Sequence, residues 1–398
     1  MSDGDELLQN LTKLSTLIAT NESAARLQVL LTDFLVVTRA GKIARGNYAN
    51  KGNQLGSQLA INSSFLDADD IDWSVMTHPG SVIWAALLES IILFPDFAYR
   101  FSLAASAGYR TSASAANFFG VKHRRNWHVT TTAGALASAT TSSVLRNLSI
   151  AQHLTALRST ASNMGGVAVA DRRTGAAIFN RAAATSLGLL ASDSAANDLT
   201  SATDIWDGER GLIQLFSISN ETAELHDGVS TSGLRLFPYN GFFQSLVYAV
   251  TKLAEGEIGE LLEIHVGVNA ITRDIANGSV GGNYWDIRHG TASAWLSKDV
   301  TKCVEAVPEV LAKIKVEGID IPISGAEVTL KTTSGSNSMR LESAPGANFN
   351  ERDNEFWRLA KWRRLIGEDL PLAADFALTL MCDKADSQTI SAIREFLL

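Results

Sequence analysis

The chain has 398 residues, 46% of them hydrophobic and 19% charged, with a formal net charge of −8. That length exceeds one simple core and predicts two domains. The negative balance excludes the broad basic surface that nucleic-acid binding requires. Two cysteines, Cys303 and Cys382, make neither a disulfide framework nor a Cys-x-x-Cys metal pair, which points to a reducing compartment.

The first residues, MSDGDELLQN, are acidic and polar. No secretory leader is expected, and a cytoplasmic location is. Residues 5–40 read as helix, with Leu27, Leu30, Leu31, Phe34 and Leu35 on one face and Gly41 as the stop. A short helix is predicted over 57–66, delivering the acidic run Asp67, Asp69, Asp70 and Asp72 into a loop. The most apolar stretch, Val82 to Phe94, is interrupted by Glu89 and Ser90. It falls short of the roughly 20 residues a bilayer needs, so it reads as a buried core helix and no membrane partner is expected. Two helical stretches broken near Pro95 fill 80–120. Small-residue helices are predicted over 132–145 and 181–190, where helix axes can approach closely.

The texture changes after about residue 225. Segments 262–268 (LEIHVGV) and 325–332 (GAEVTLKT) alternate apolar and polar residues, as strands do. Helices are predicted over 240–254, 290–314 and 388–397. The expected fold class is mainly α. A large helical-bundle domain (1–224 with 341–398) would carry a smaller inserted α+β domain (225–340).

Seven histidines are few enough to weigh singly. His78, in THPGSVIWAALLES, follows the acidic loop and precedes a helix. His128, in NWHVTTTAGALASA, precedes another, with Thr130 to Thr132 offering an N-cap. Free N–H groups and the positive dipole end favour a bound carboxylate there. If the two helices lie side by side, an Asp–His–His cluster converges at one end of the bundle, and a carboxylate beside an imidazole fixes its tautomer for acid–base work near neutral pH. Against this stands the reading of each histidine as a capping or surface residue.

Paired arginines are a second constellation. Arg172 and Arg173 could clamp a carboxylate, whereas Arg124 and Arg125 fit a solvated patch. LDADDID reads as an exposed or capping acidic loop rather than a cation site, and no paired His ligands lie on one helix face. Neither a metal nor a cofactor is expected.

The ordered set FLDADDID, THPGSVIWAALLES, AASAGYRTSASAANFF, NWHVTTTAGALASA and FNRAAATSLG resembles the MmgE/PrpD family, clearly over about residues 25–215. The family includes dehydratases, a decarboxylase and an epimerase of small carboxylates. The resemblance implies a helical domain with an inserted α+β lid, a homodimer and a small carboxylate substrate. It also implies a pocket aspartate at Asp67 and pocket histidines at His78 and His128. Where such lyases carry a lysine before the small-residue helix, this chain has Thr174 or Gly175. Where a second lysine and a histidine flank an aromatic-proline pair, RLFPYN places Arg235, Tyr239 and Asn240. A later tyrosine position falls at His289. The activities implied are a lyase working by α-proton abstraction or an isomerase or epimerase with two acid–base residues. A specialised biosynthetic member or a non-catalytic binding protein remain as alternatives.

Overall fold

The computed structural model describes residues 3–16, 21–46, 54–168, 175–218, 223–257, 259–277, 282–347, 352–382 and 384–398. Helix dominates and the sheets are small. The chain divides into two compact units, Met1–Ser232 with Trp362–Leu398, and Gly233–Lys361.

The larger unit opens with α1 (Asp3–Thr12), α2 (Asn21–Arg45) and α3 (Leu55–Ser64). The sequence predicts one helix ending at Gly41, but α2 runs on to Arg45. Gly41 is a packing residue: a Cβ there would lie 2.0 Å from the carbonyl oxygen of Asn62, where α3 crosses α2. The real stop is Gly46, in the left-handed region at φ 61°, where glycine carries no Cβ penalty. A two-residue strand, β1 (Ile71–Asp72), follows. Then come α4 (Gly80–Leu93), α5 (Phe101–Asn126, kinked at Gly120), α6 (Val129–Leu145), α7 (Ile150–Ala161) and α8 (Ala176–Ala196). Short helices α9 (Leu212–Leu215) and α10 (Gly228–Thr231) complete this part, ahead of the two-residue strand β2 (Ser232–Gly233).

Helix α6 is the centre of the bundle, with every one of its residues buried. Its Ala, Gly, Ser and Thr content allows this. A Cβ on Gly108 of α5 would sit 2.3 Å from Thr141 Oγ1, and one on Gly188 of α8 would sit 2.5 Å from the Ala139 amide nitrogen. Hydroxyls in this dry interior are satisfied locally: Ser138 donates to the Thr185 carbonyl and Thr141 to the Ala137 carbonyl, as burial of polar groups demands.

In the smaller unit α11 (Gln244–Ala254) packs on a four-stranded sheet. Its strands are β3 (Leu261–Asn269), β4 (Ile314–Ile319), β5 (Ala326–Thr332) and β6 (Gly335–Leu341), in the order β4-β3-β5-β6. Strand β3 pairs parallel with β4 and antiparallel with β5, setting Val266 opposite Val316 and Val328. Ile264, Val266, Val268, Val328 and Leu330 are buried, so the period-2 pattern marks one covered face. Helices α12 (Ala270–Ile275), α13 (Ile287–Ser297) and α14 (Pro308–Leu311) connect the strands. The predicted helix over 290–314 is corrected: α13 ends at Ser297, Lys298 turns left-handed, and Pro308 opens a single turn before β4.

The chain continues through α15 (Arg352–Ile366), α16 (Leu370–Met381) and α17 (Ser387–Leu397). The unit boundary falls inside α15. Trp357 stacks edge-on against Phe237 and Tyr248 of the smaller unit. Trp362 donates to Asp33 of α2 in the larger one, at 2.6 Å. Arg39 fastens α2 to the C-terminal helices through Asp369 and the Phe396 carbonyl.

Candidate active site

Two helix N-termini meet in the larger unit. Helix α4 starts just after His78-Pro79, and His128 is itself the N-cap of α6. Thr130, expected to offer the cap, is instead the second residue of the helix, where its hydroxyl accepts from the His78 amide at 3.1 Å. That bond ties the residue before α4 to the first turn of α6. The structure therefore brings His78 and His128 to the same end of the bundle.

Two carboxylates from the preceding loop complete this end. The Asp70 carboxylate accepts from the Gly80 amide at 3.0 and 3.1 Å and from the Tyr109 hydroxyl at 2.7 Å. Tyr109 in turn accepts from the Trp84 indole at 2.8 Å. Burial, and then the neighbouring Asp69 charge, push the Asp70 carboxyl up to about 7, as desolvation and a like charge must. Asp69 is almost wholly buried. Its Oδ2 accepts from Arg181 Nη1 at 2.7 Å and lies 3.7 Å from His78 Nδ1.

The His78 ring is oriented by the backbone. Its Nδ1–H donates to the Asp70 carbonyl oxygen at 2.9 Å. In the neutral ring this puts the proton on Nδ1 and the basic lone pair on Nε2. His128 is buried. Its amide donates to the Gly166 carbonyl and its Nδ1 pairs with Thr131 Oγ1 at 2.5 Å.

Asp67, the aspartate that the resemblance implies for the pocket, sits in the loop after α3. It occupies a left-handed turn at φ 48°, its amide donating to the Ser64 carbonyl. The carboxylates that address His78 and the α4 N-terminus belong to Asp69 and Asp70. Sequence reasoning also missed Arg181 and Tyr109, though both stand in segments that carried the family resemblance. Arg172, Arg173 and Thr174 lie outside the described residues.

The remaining candidates belong to the smaller unit. Arg235 is buried there. The Tyr239 hydroxyl donates to the Lys302 carbonyl at 2.7 Å and pairs with Ser293 at 3.0 Å. Asn240 caps a turn by accepting from the Phe242 amide. Both polar groups are thus engaged in holding the local fold. His289 Nδ1 lies 3.3 Å from the Asp286 carboxylate without hydrogen-bond geometry.

Two other histidines are interior residues. His123 packs against Phe119, Trp127 and Phe216 and meets Thr132 Oγ1; His153 meets Thr140 Oγ1. Burial lowers both to about 4, so they are neutral fillers of the core. Among the described residues no three His, Cys, Asp or Glu side chains cluster as a metal site would require, and no helix is long and apolar enough to cross a membrane.

Residues 58–225 match the family model described as the MmgE/PrpD N-terminal domain. This segment is similar to an MmgE/PrpD N-terminal domain. The match supports membership of the MmgE/PrpD family, whose activities are of dehydratase, lyase or related type. Asp69, Asp70, His78, Tyr109, His128 and Arg181 all fall within this MmgE/PrpD segment. No curated protein matches the chain.

Proposed function

We propose that the chain is a cofactor-independent lyase of MmgE/PrpD type, acting by α-proton abstraction on a small carboxylated substrate. The observation that carries this is the His78 ring: its Nδ1–H is fixed on the Asp70 carbonyl with the Asp69 carboxylate beside it. That arrangement presents the Nε2 lone pair as a base, and such a positioned base contributes on the order of 10²–10⁴-fold. The N-termini of α4 and α6 favour negative charge on the substrate carboxylate and on the carbanion that develops beside it. The Cα–H proton passes to His78 Nε2, and the C–H electron pair forms the Cα–Cβ double bond. The β-substituent leaves with a proton from His128, so elimination of water balances without any further reactant.

An epimerase is the second reading. Arg235 stands where a lysine is expected, and a guanidinium cannot supply a proton near neutral pH. Epimerisation needs no leaving-group acid: one histidine removes the α-proton and the other returns one to the opposite face. The proposal takes the active form to be a cytoplasmic homodimer and the smaller unit to be the family's lid, as the resemblance implies.

Proton NMR in heavy water, with a panel of small di- and tricarboxylates and their amino and imino analogues, tests the reading. A new vinyl signal marks the lyase. Deuterium at an α-position with the carbon skeleton intact marks the epimerase. Binding without either change would identify a non-catalytic protein and overturn both.

A further inference from the structure

The Arg181–Asp69 pair has no part in the proton transfers just described, yet it is buried beside the proposed base. Arg181 lies on α8, 112 residues along the chain from Asp69. Its guanidinium and the Asp69 carboxylate are 5% and 2% exposed. The same carboxylate oxygen, Oδ2, is 2.7 Å from Arg181 Nη1 and 3.7 Å from His78 Nδ1.

An isolated carboxylate 3.7 Å from an imidazole would favour the imidazolium, and the more so in a dry environment. A histidine held as imidazolium has no lone pair and cannot serve as a base. A cation shared by that same oxygen withdraws part of the attraction while leaving the carboxylate in place to orient the ring.

We propose that Arg181 is a positioning residue that keeps His78 basic by claiming the Asp69 carboxylate. Among the described residues, other charged and titratable groups at this end are Asp70 and Tyr109, which pair with each other, Asp33 on α2, whose charge acts on Asp70, and His128, the N-cap of α6. Among the described residues the ion pair of Arg181 is with Asp69, so its effect on His78 runs through that carboxylate. The inference rests on the reading of His78 as the base, but its test needs no substrate.

The experiment is an NMR titration of the full chain carrying ¹³Cε1-labelled histidine, with the His78 signal assigned by its loss in His78→Gln. Arg181→Gln is expected to raise the His78 midpoint by about one unit or more, because the carboxylate is no longer shared. Arg181→Lys should restore most of the wild-type value. The double variant Arg181→Gln/Asp69→Asn, which removes both charges, should return the midpoint toward wild type. Removing one partner of a buried pair is strongly destabilising. If Arg181→Gln does not fold, the folded double variant is compared with Asp69→Asn: with the carboxylate gone the two His78 midpoints should agree, and a difference of about one unit would overturn the proposal. A His78 midpoint that stays put in the folded single variant overturns the proposal. Since the titration reads the ring without turnover, it stands or falls separately from the lyase assignment.

Discussion

The Gly80 amide nitrogen lies 3.0 and 3.1 Å from the two carboxylate oxygens of Asp70, and a Cβ at position 80 would come within 2.7 Å of both. The start of α4 and the inward carboxylate therefore depend on each other. Asp70 satisfies a helix-terminal N–H from ten residues upstream, and its own carbonyl orients His78.

Gly80→Ala is expected to cost about 2–3 kcal/mol, combining overpacking with loss of a helix-terminal hydrogen bond. Urea denaturation of wild type and variant gives the difference. A loss below about 0.5 kcal/mol would mean that the Asp70–Gly80 contact is not held in solution.

Asp70 also predicts a pH dependence. Its carboxyl is raised to about 7 in the folded protein, first by burial and then by Asp69, against about 3.9 in an unfolded chain. The folded state binds this proton more tightly, so the stabilisation is full below about pH 4 and is lost as pH rises through 7. Asp70→Asn removes this dependence. The melting temperature of wild type minus that of the variant should fall between pH 4 and 7; a flat difference contradicts the assignment.

The interior histidines act in the opposite sense. His153 titrates near 4 when folded because burial disfavours the imidazolium, and near 6.5 when unfolded. Its contribution is intact above pH 6.5 and drains away as pH falls toward 4, by roughly 3 kcal/mol at the limit. His153→Gln, which keeps a partner for Thr140, should give a shallower decline of melting temperature across that window. Thermal denaturation at half-unit pH steps measures it.

Close packing of α6 against α8 supplies a fourth test. A Cβ on Gly188 would sit 2.5 Å from the Ala139 amide nitrogen and from Ser138 Cβ. Backbone cannot yield as a flexible side-chain tip can, so Gly188→Ala should cost about 1–3 kcal/mol. A neutral result by chemical denaturation would show that the helices stand further apart.

Much of the helical framework is legible in the sequence, because apolar and small-residue periodicity reports burial directly. Helix α7 is absent from the periodicity reading, although Ser149 and Gln152 form a capping box that marks its start. Strand β6, GSNSMRL, is an exposed edge with no alternation to read. Gly41 shows that a glycine inside a helix can answer to a neighbouring helix rather than to a chain reversal. At the site, the acidic run and both histidines stand out by spacing alone. Which aspartate turns inward depends on the left-handed turn at Asp67, and a non-periodic loop does not announce such a turn. Arg181 is hidden for another reason: its partner is 112 residues away in sequence, and only the packing of α8 brings the two together.

The most direct test of the central claim is solvent deuterium incorporation or elimination measured by proton NMR. It compares wild type with His78→Gln and His128→Asn on whichever small carboxylate the wild type turns over. The account predicts losses of at least about 100-fold in each variant, with circular dichroism and melting temperature unchanged. Turnover that persists at the wild-type rate in both folded variants would contradict it, and would remove proton abstraction from this end of the bundle.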